Sequence, residues 1–190
     1  AAVTDGGLNT YSETVGSGTG LGVTLNYDAL TVGVYGAEIE RKDKSRVNDE
    51  NSVQGTWYAK YNVGALSFGY QESYHDSGLS VAEKAVTAAK VIGTDGGLFL
   101  SNSMSAAYNV NDNLSISYTA TEDTYDAQEG SGTTGATATA DVTQDTDAFQ
   151  IAYSMGSMSI KAYRMSTNNP GYDSDASDVT VTEIALGLAF

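Results

Sequence analysis

Apolar and polar residues alternate along most of this chain with a period of two. The alternation is clearest at residues 180–190, where Ile184, Leu186, Leu188 and Phe190 share one face and small or polar residues lie between them. A period of two is typical of β-strands whose two faces meet different surroundings. The pattern therefore predicts an all-β chain.

A weak repeat organises the predicted strands into hairpins. Each copy has a strand that ends near a Tyr, a short turn, and a second strand that opens on an apolar residue. The four copies lie at 25–35, 59–70, 106–118 and 151–163. Their tyrosines are Tyr27, Tyr61, Tyr108 and Tyr153, and the strands restart at Leu30, Leu66, Leu114 and Met158. Between them lie Asn, Asp, Gly and Ser, which tight turns favour.

The alternation and the turn signals together predict nine antiparallel strands. We place them at about 20–27, 29–40, 52–62, 65–74, 97–108, 113–122, 146–154, 157–166 and 179–190. Each is close to the ~9–11 residues that a tilted strand needs to cross a bilayer. Longer polar stretches join the hairpins at about 41–51, 75–97, 123–146 and 167–178. Residues 1–18 are expected to be a loop or the end of an earlier strand.

Charge changes the picture because it is unevenly distributed. The chain has 24 Asp and Glu against nine Lys and Arg, a formal net charge of −15, which excludes nucleic acid as a partner. Most acidic residues fall in the long polar stretches, whereas the short turns hold only Asp28 and Asp112. Short turns at one end and long acidic loops at the other are typical of a transmembrane β-barrel.

The alternation assigns odd and even positions of each strand to opposite faces, and the two faces differ in composition. One is built from Leu, Val, Ile, Phe and Tyr with almost no charge away from the strand ends, and the other is rich in Ser, Thr, Gln and Gly. Ser, Gln and Lys do not build a packed core, but they suit a water-filled lumen. We therefore expect the apolar row to face lipid. The four tyrosines before the turns are then a girdle at one membrane interface, although Tyr is also simply a good strand residue.

With these features the chain resembles the Gram-negative outer-membrane porins, and among them the alphaproteobacterial general porins. The most specific part is TVTEIALGLAF at 180–190. Porins typically end in Phe preceded by alternate hydrophobic residues, which the barrel-assembly machinery reads as an insertion signal. Ile184, Leu186, Leu188 and Phe190 occupy those positions. Thr182 departs from the pattern, since a further hydrophobic or aromatic residue is common there.

The resemblance implies that residues 1–190 are the C-terminal portion of a single barrel domain of about 16 strands. Residues 178–190 are then the terminal strand, the short turns are periplasmic and the long loops are extracellular. The odd count of nine strands agrees with a sequence that is part of a longer barrel, because bacterial single-chain barrels have even numbers of strands. The implied location is the cell outer membrane. The implied partners are outer-membrane lipid, the assembly machinery and further copies in a homotrimer.

Charged and aromatic residues predicted on the polar face are the candidates for lining a pore. A wall of cations opposite acidic loops gives a porin its charge selectivity. The candidates are Lys60, Lys161, Tyr58, Gln54, Arg41, Arg164 and Glu183. The alternative is that these Lys and Arg residues lie at strand ends or extend to an interface.

The long stretch at 75–97 contains SVAEKAV, in which Ser80 and Glu83 have the spacing of a capping box. We expect a short surface helix there, although a helix folded into the pore would have the same signature. His75, at the start of this stretch, is interpreted as a loop residue.

The leading hypothesis is a channel for passive diffusion of small hydrophilic solutes and ions, with no cofactor, metal or chemistry. One alternative is a small outer-membrane barrel with a structural or adhesive role, and another is a soluble β-sandwich. An enzyme is disfavoured, because the chain has no Cys and its one His, His75, has no nucleophile motif beside it.

Overall fold

The computed structural model describes residues 15–41, 51–78, 97–126 and 141–189, which form one antiparallel sheet. Its nine strands are neighbours in the order in which they follow along the chain. They are β1 (Val15–Tyr27), β2 (Leu30–Arg41), β3 (Ser52–Val63), β4 (Leu66–Asp76), β5 (Leu98–Asn111), β6 (Leu114–Asp126), β7 (Val142–Met155), β8 (Met158–Asn168) and β9 (Val179–Leu188). The only other element in these ranges is a 3₁₀ turn, Pro170–Tyr172.

All nine predicted strands are present, and the all-β antiparallel class is confirmed. The strands after the short turns begin where the sequence predicts, at Leu30, Leu66, Leu114 and Met158.

Several strands run further towards the long loops than the sequence predicts, and β1 begins at Val15, inside the stretch 1–18 that was expected to be a loop or the end of an earlier strand. β6 continues to Asp126 and β7 begins at Val142, inside a stretch assigned to a loop. Tyr125 and Val142 are still paired there. The prediction was wrong at these ends because backbone pairing continues through polar residues, which hydrophobic alternation does not detect.

The four short turns each contain two residues. They are 28–29, 64–65, 112–113 and 156–157. Asp28 and Gly64 have positive φ, 52° and 58°, as tight hairpins require. Before the third turn, the Asn111 side-chain oxygen accepts hydrogen bonds from the backbone N–H groups of Asn113 and Leu114, at 2.9 and 3.0 Å. The polar turn residues therefore satisfy the backbone where the ladder ends.

No hydrophobic core lies between the described elements. Tyr125, which is 6% exposed, is the one buried hydrophobic residue among them. Leu21, Tyr27 and Ile184 are instead 78%, 81% and 73% exposed. All but three of the large exposed apolar side chains lie on the same face of the sheet by register. Packing within the described residues therefore leaves this apolar face uncovered.

β1 and β9 are the edges of the sheet and do not pair with each other. The described sheet is open, so closure into a barrel and a total of 16 strands stay predictions. The predicted helix around Ser80 and Glu83 and the terminal Phe190 lie outside the described residues. β9 does carry Ile184, Leu186 and Leu188 on one face, paired with β8.

Gly97, just before β5, offers a test of the packing at the loop end. Its φ is 99°, and a Cβ there would lie 2.6 Å from the Tyr125 ring and 2.7 Å from the Asp126 carbonyl oxygen. We expect Gly97→Ala to lower the free energy of unfolding by about 2–4 kcal/mol, through backbone strain and overpacking together. Urea unfolding followed by the fluorescence of Trp57, the one Trp of this sequence, measures it.

Gly64 is the matched control for this prediction. Its φ is also positive, but nothing lies within 4 Å of the position of a Cβ. Gly64→Ala should therefore lower the free energy of unfolding only through backbone strain, by about 1–2 kcal/mol. Equal losses in the two variants would contradict the contact between Gly97 and Tyr125.

Candidate functional site

The cross-strand register collects small and polar side chains on one side of the sheet, which we call the polar face. Its central strands carry hydroxyl, amide and glycine residues. These are Ser67, Gly69, Gln71 and Ser73 on β4, Ser101, Ser103 and Ser105 on β5, and Ser115, Ser117, Thr119 and Thr121 on β6. We call the opposite side, with the exposed apolar side chains, the apolar face.

Most of the predicted pore-lining candidates lie on the polar face. They are Gln54, Tyr58, Lys60, Lys161 and Glu183. Arg41 has the same register parity at the end of β2, where it is paired with Val15.

Arg164 lies on the apolar face, where it is paired with Phe149 and Thr182. Residues an odd number of positions apart on a strand point to opposite faces, so Arg164 does not share a surface with Lys161. Counting along β8 from the Met158 restart would have found this from the sequence.

Tyr58 and Lys60 belong to an aromatic cluster at the β1–β3 side of the polar face. The Lys60 Nζ lies 5.3 Å from the centroid of the Tyr58 ring, within cation–π range. The Tyr58 ring stacks on Tyr35 with 6.2 Å between centroids, and the Tyr35 hydroxyl lies 2.5 Å from that of Thr24. Gly33 makes room for this arrangement, since a Cβ there would lie 2.4 Å from the Tyr58 ring. The cation is therefore held above a fixed aromatic surface.

Lys161 and Glu183 bring opposite charges to a second position on the polar face. The Tyr163 hydroxyl donates a 3.0 Å hydrogen bond to Glu183 Oε2. A depression of about 440 Å³ is lined by Lys161, Tyr163 and Glu183 together with Gln150 and Ser117. This surface offers a cation, a carboxylate and several hydrogen-bonding groups to a hydrated solute.

A third cluster, at the loop end of the polar face, was missed by the sequence analysis. Phe99 lies 4.9 Å from Tyr125 and 5.6 Å from Tyr172, and Tyr125 lies 5.9 Å from Tyr172, between ring centroids. His75, which was interpreted as a loop residue, is on β4 and stacks on Phe99 at 6.1 Å. The sequence did hold a signal for this cluster. Phe99 and Tyr125 lie near strand ends, at alternate positions that place them on the polar face.

The apolar face carries the predicted tyrosine row beside the two-residue turns. Tyr27, Tyr61, Tyr108 and Tyr153 all lie on this face, each paired with a Leu at a strand restart. The row therefore follows the end of the sheet that has the short turns.

Carboxylates also lie on the apolar face, near the ends of the strands that face the long loops. Glu72 accepts hydrogen bonds from the Trp57 indole N–H at 2.8 Å and the Tyr70 hydroxyl at 2.6 Å. Two further carboxylates have similar donors: Asn102 donates to Glu122, and Tyr118 donates to Asp147. The nearly charge-free row is therefore confined to the part of this face nearer the short turns.

Comparisons of the chain with protein-family models, with curated proteins and with solved structures found no match. Within the described ranges, no three His, Asp or Glu residues are grouped so that they could hold a metal ion. Nor does any helix there have the length and apolar composition needed to cross a bilayer.

Burial raises the pKa of Tyr172, and the negative charge of Asp123 raises it further. An unfolded chain has a tyrosine pKa of about 10. Because the folded-state pKa is higher, neutral Tyr172 contributes stability below pH ~10 that is lost as the pH rises through the folded-state value. We expect the urea midpoint of the wild type to fall more steeply across this range than that of Tyr172→Phe, which cannot ionise. Superimposable profiles would contradict it.

Proposed function

We propose that this sheet is part of the wall of an outer-membrane β-barrel that forms a water-filled channel for small hydrophilic solutes and ions. The observation that carries the proposal is the contrast between the two faces of one continuous sheet. Among the described residues, no element covers Leu21, Leu25 and Ile184 on the apolar face, whereas Ser, Thr, Gln and Gly occupy the other face. An exposed apolar area of this kind marks contact with lipid or with another protein.

Backbone pairing supports lipid as the solvent of the apolar face. A bilayer tolerates a spanning segment only when its N–H and C=O groups are bonded internally. Each of the eight strand pairs makes such a ladder, which leaves the outer edges of β1 and β9 to be satisfied. In our proposal, further strands of the barrel pair with both edges.

The width of the sheet favours a channel over a small structural barrel. Barrels of about eight strands have an interior that side chains can fill, whereas those of about 16 leave an aqueous lumen. Nine strands already lie side by side without closing. The Ser-rich and Gly-rich polar face is also poorly suited to filling an interior.

The ends of the sheet support one orientation in the membrane. The four two-residue turns fit the periplasmic side, and the long acidic connections fit the outside. Tyr rings beside the turns, and hydrogen-bonded carboxylates such as Glu72 nearer the loops, fit the two zones where hydrocarbon meets headgroups. A homotrimer and insertion by the barrel-assembly machinery belong to the same proposal, on the resemblance to porins.

Two adjacent residues on β7 provide a matched test of whether the apolar face contacts lipid and the polar face contacts water. Ile151 lies on the apolar face and Gln150 on the polar face. In the full-length protein folded into lipid vesicles, we expect Ile151→Arg to lose about 2–4 kcal/mol of unfolding free energy, because the cation would face hydrocarbon. Gln150→Arg should change it by less than about 0.5 kcal/mol. Similar losses in both variants would contradict the assignment of the faces.

Planar bilayer recording tests the channel itself. The full-length protein should give discrete conductance steps, and their absence would overturn the proposed function. Lys161→Glu should shift the reversal potential in a salt gradient towards cation selectivity, because it replaces a lumen cation by an anion. Lys161→Gln should give a smaller shift in the same direction. An unchanged potential with intact conductance would remove only the role of Lys161.

A further inference from the structure

The connection between β8 and β9 begins by folding back over the polar face. The Asn169 side-chain amide donates a 2.7 Å hydrogen bond to the carbonyl oxygen of Thr143 on β7. The backbone N–H of Gly171 donates a 2.8 Å hydrogen bond to the Gln144 side chain, also on β7. We call residues 169–173 the ledge, because they cross the loop ends of neighbouring strands.

Tyr172 anchors the ledge to strands that are further away in the sheet. Its ring contacts Phe99 of β5 and Tyr125 of β6, with centroid distances of 5.6 and 5.9 Å. His75, Phe99 and Tyr125 are successive partners in the register, so they form one row of rings across the polar face. Tyr125 is the most completely covered hydrophobic residue of the described chain. The ledge thus lies against the most tightly packed part of an otherwise open sheet.

The backbone of the ledge is held in an uncommon conformation. Asn169, Gly171 and Tyr172 have positive φ values of 48°, 70° and 58°. Asn and Gly tolerate this left-handed region, but a bulky residue such as Tyr rarely adopts it. Such a conformation persists only where the surrounding contacts fix it. The contacts with Thr143, Gln144 and the aromatic row supply that constraint.

Carboxylates accompany the ledge. Asp123 lies on the polar face of β6, paired with Gln144, and its charge acts on Tyr172. Asp173 follows Tyr172 directly, and its side chain accepts a 2.9 Å hydrogen bond from the backbone N–H of Asp175. A solute that passes the ledge therefore meets negative charge, whereas Lys60 and Lys161 lie elsewhere on the same face.

We propose that the ledge narrows the loop-side mouth of the channel and sets the largest solute that passes, with Tyr172 as its positioning residue. This inference rests on the proposed function, since the polar face is a lumen only in a closed barrel. Within that barrel, residues lying against the polar face occupy part of the cross-section open to solutes. The solutes that pass are small, hydrated and neutral or cationic, because the acidic groups disfavour bulky anions.

Two measurements on the full-length protein test the ledge. The first is conductance in planar bilayers together with swelling of proteoliposomes in sugars of increasing size. The second is hydrogen exchange of the 169–173 backbone, which reports whether the ledge is seated independently of any transport. The variants are Tyr172→Ala, the conservative Tyr172→Phe, and Tyr118→Ala as a control that removes a ring from the apolar face of the same strand as Tyr125.

We expect Tyr172→Ala to raise the conductance on the order of 1.5-fold, to admit larger sugars and to speed exchange at Gly171 by about tenfold. Tyr172→Phe and Tyr118→Ala should behave like the wild type. Faster exchange in Tyr172→Ala with an unchanged size limit would overturn the inference and leave the channel standing. Unchanged exchange would show that Tyr172 does not position the ledge. If the wild-type protein itself gives no conductance, the proposed function fails, and the inference fails with it.

Discussion

The antiparallel ladder of backbone hydrogen bonds is the interaction on which the rest of the structure depends. It joins β1 through β9 without interruption, while the described residues bury almost no apolar side chain against one another. In most domains the sheet is held because a second layer covers its hydrophobic face. Here the ladder holds the strands together, and the surroundings must supply what a second layer would. The stability of the sheet therefore depends on what covers its apolar face as well as on the contacts between its strands.

The same ladder gives each strand two faces that can be adapted separately. Small residues on the polar face leave room for rings to lie along the sheet, as Gly33 does beneath Tyr58. On the apolar face, rings with a polar atom satisfy the carboxylates, as Trp57 and Tyr70 do by donating to Glu72. A single alternating pattern therefore encodes a face of small and polar side chains, a face of exposed apolar side chains, and a group of hydrogen-bonded carboxylates on the apolar face.

Sequence alternation predicted the strands and their hairpin order because period two and turn chemistry are local properties. It predicted the strand restarts to the residue, as at Leu66 and Met158, since an apolar residue directly follows each turn. It could not predict the third cluster, because Tyr172 and Phe99 are far apart in sequence. They meet only because the connection after β8 extends over two strands to reach β5. It also missed the strand ends near Asp126, because the polar residues 121–124 interrupt the hydrophobic alternation while the backbone pairing continues through them.

The neighbour-only order of the strands has a consequence for how the sheet assembles. Within the described sheet, each strand pairs only with its neighbours along the chain, so none of the eight pairings there waits for a distant part of the chain. Each of these pairings spans one turn or one connection, and a lower sequence separation of contacts is associated with faster folding. Lengthening a connection between two strands adds little to the free-energy cost of pairing them, because the entropic cost of loop closure grows only with the logarithm of the loop length. The sheet can therefore grow one hairpin at a time, with each new edge serving as the template for the next strand.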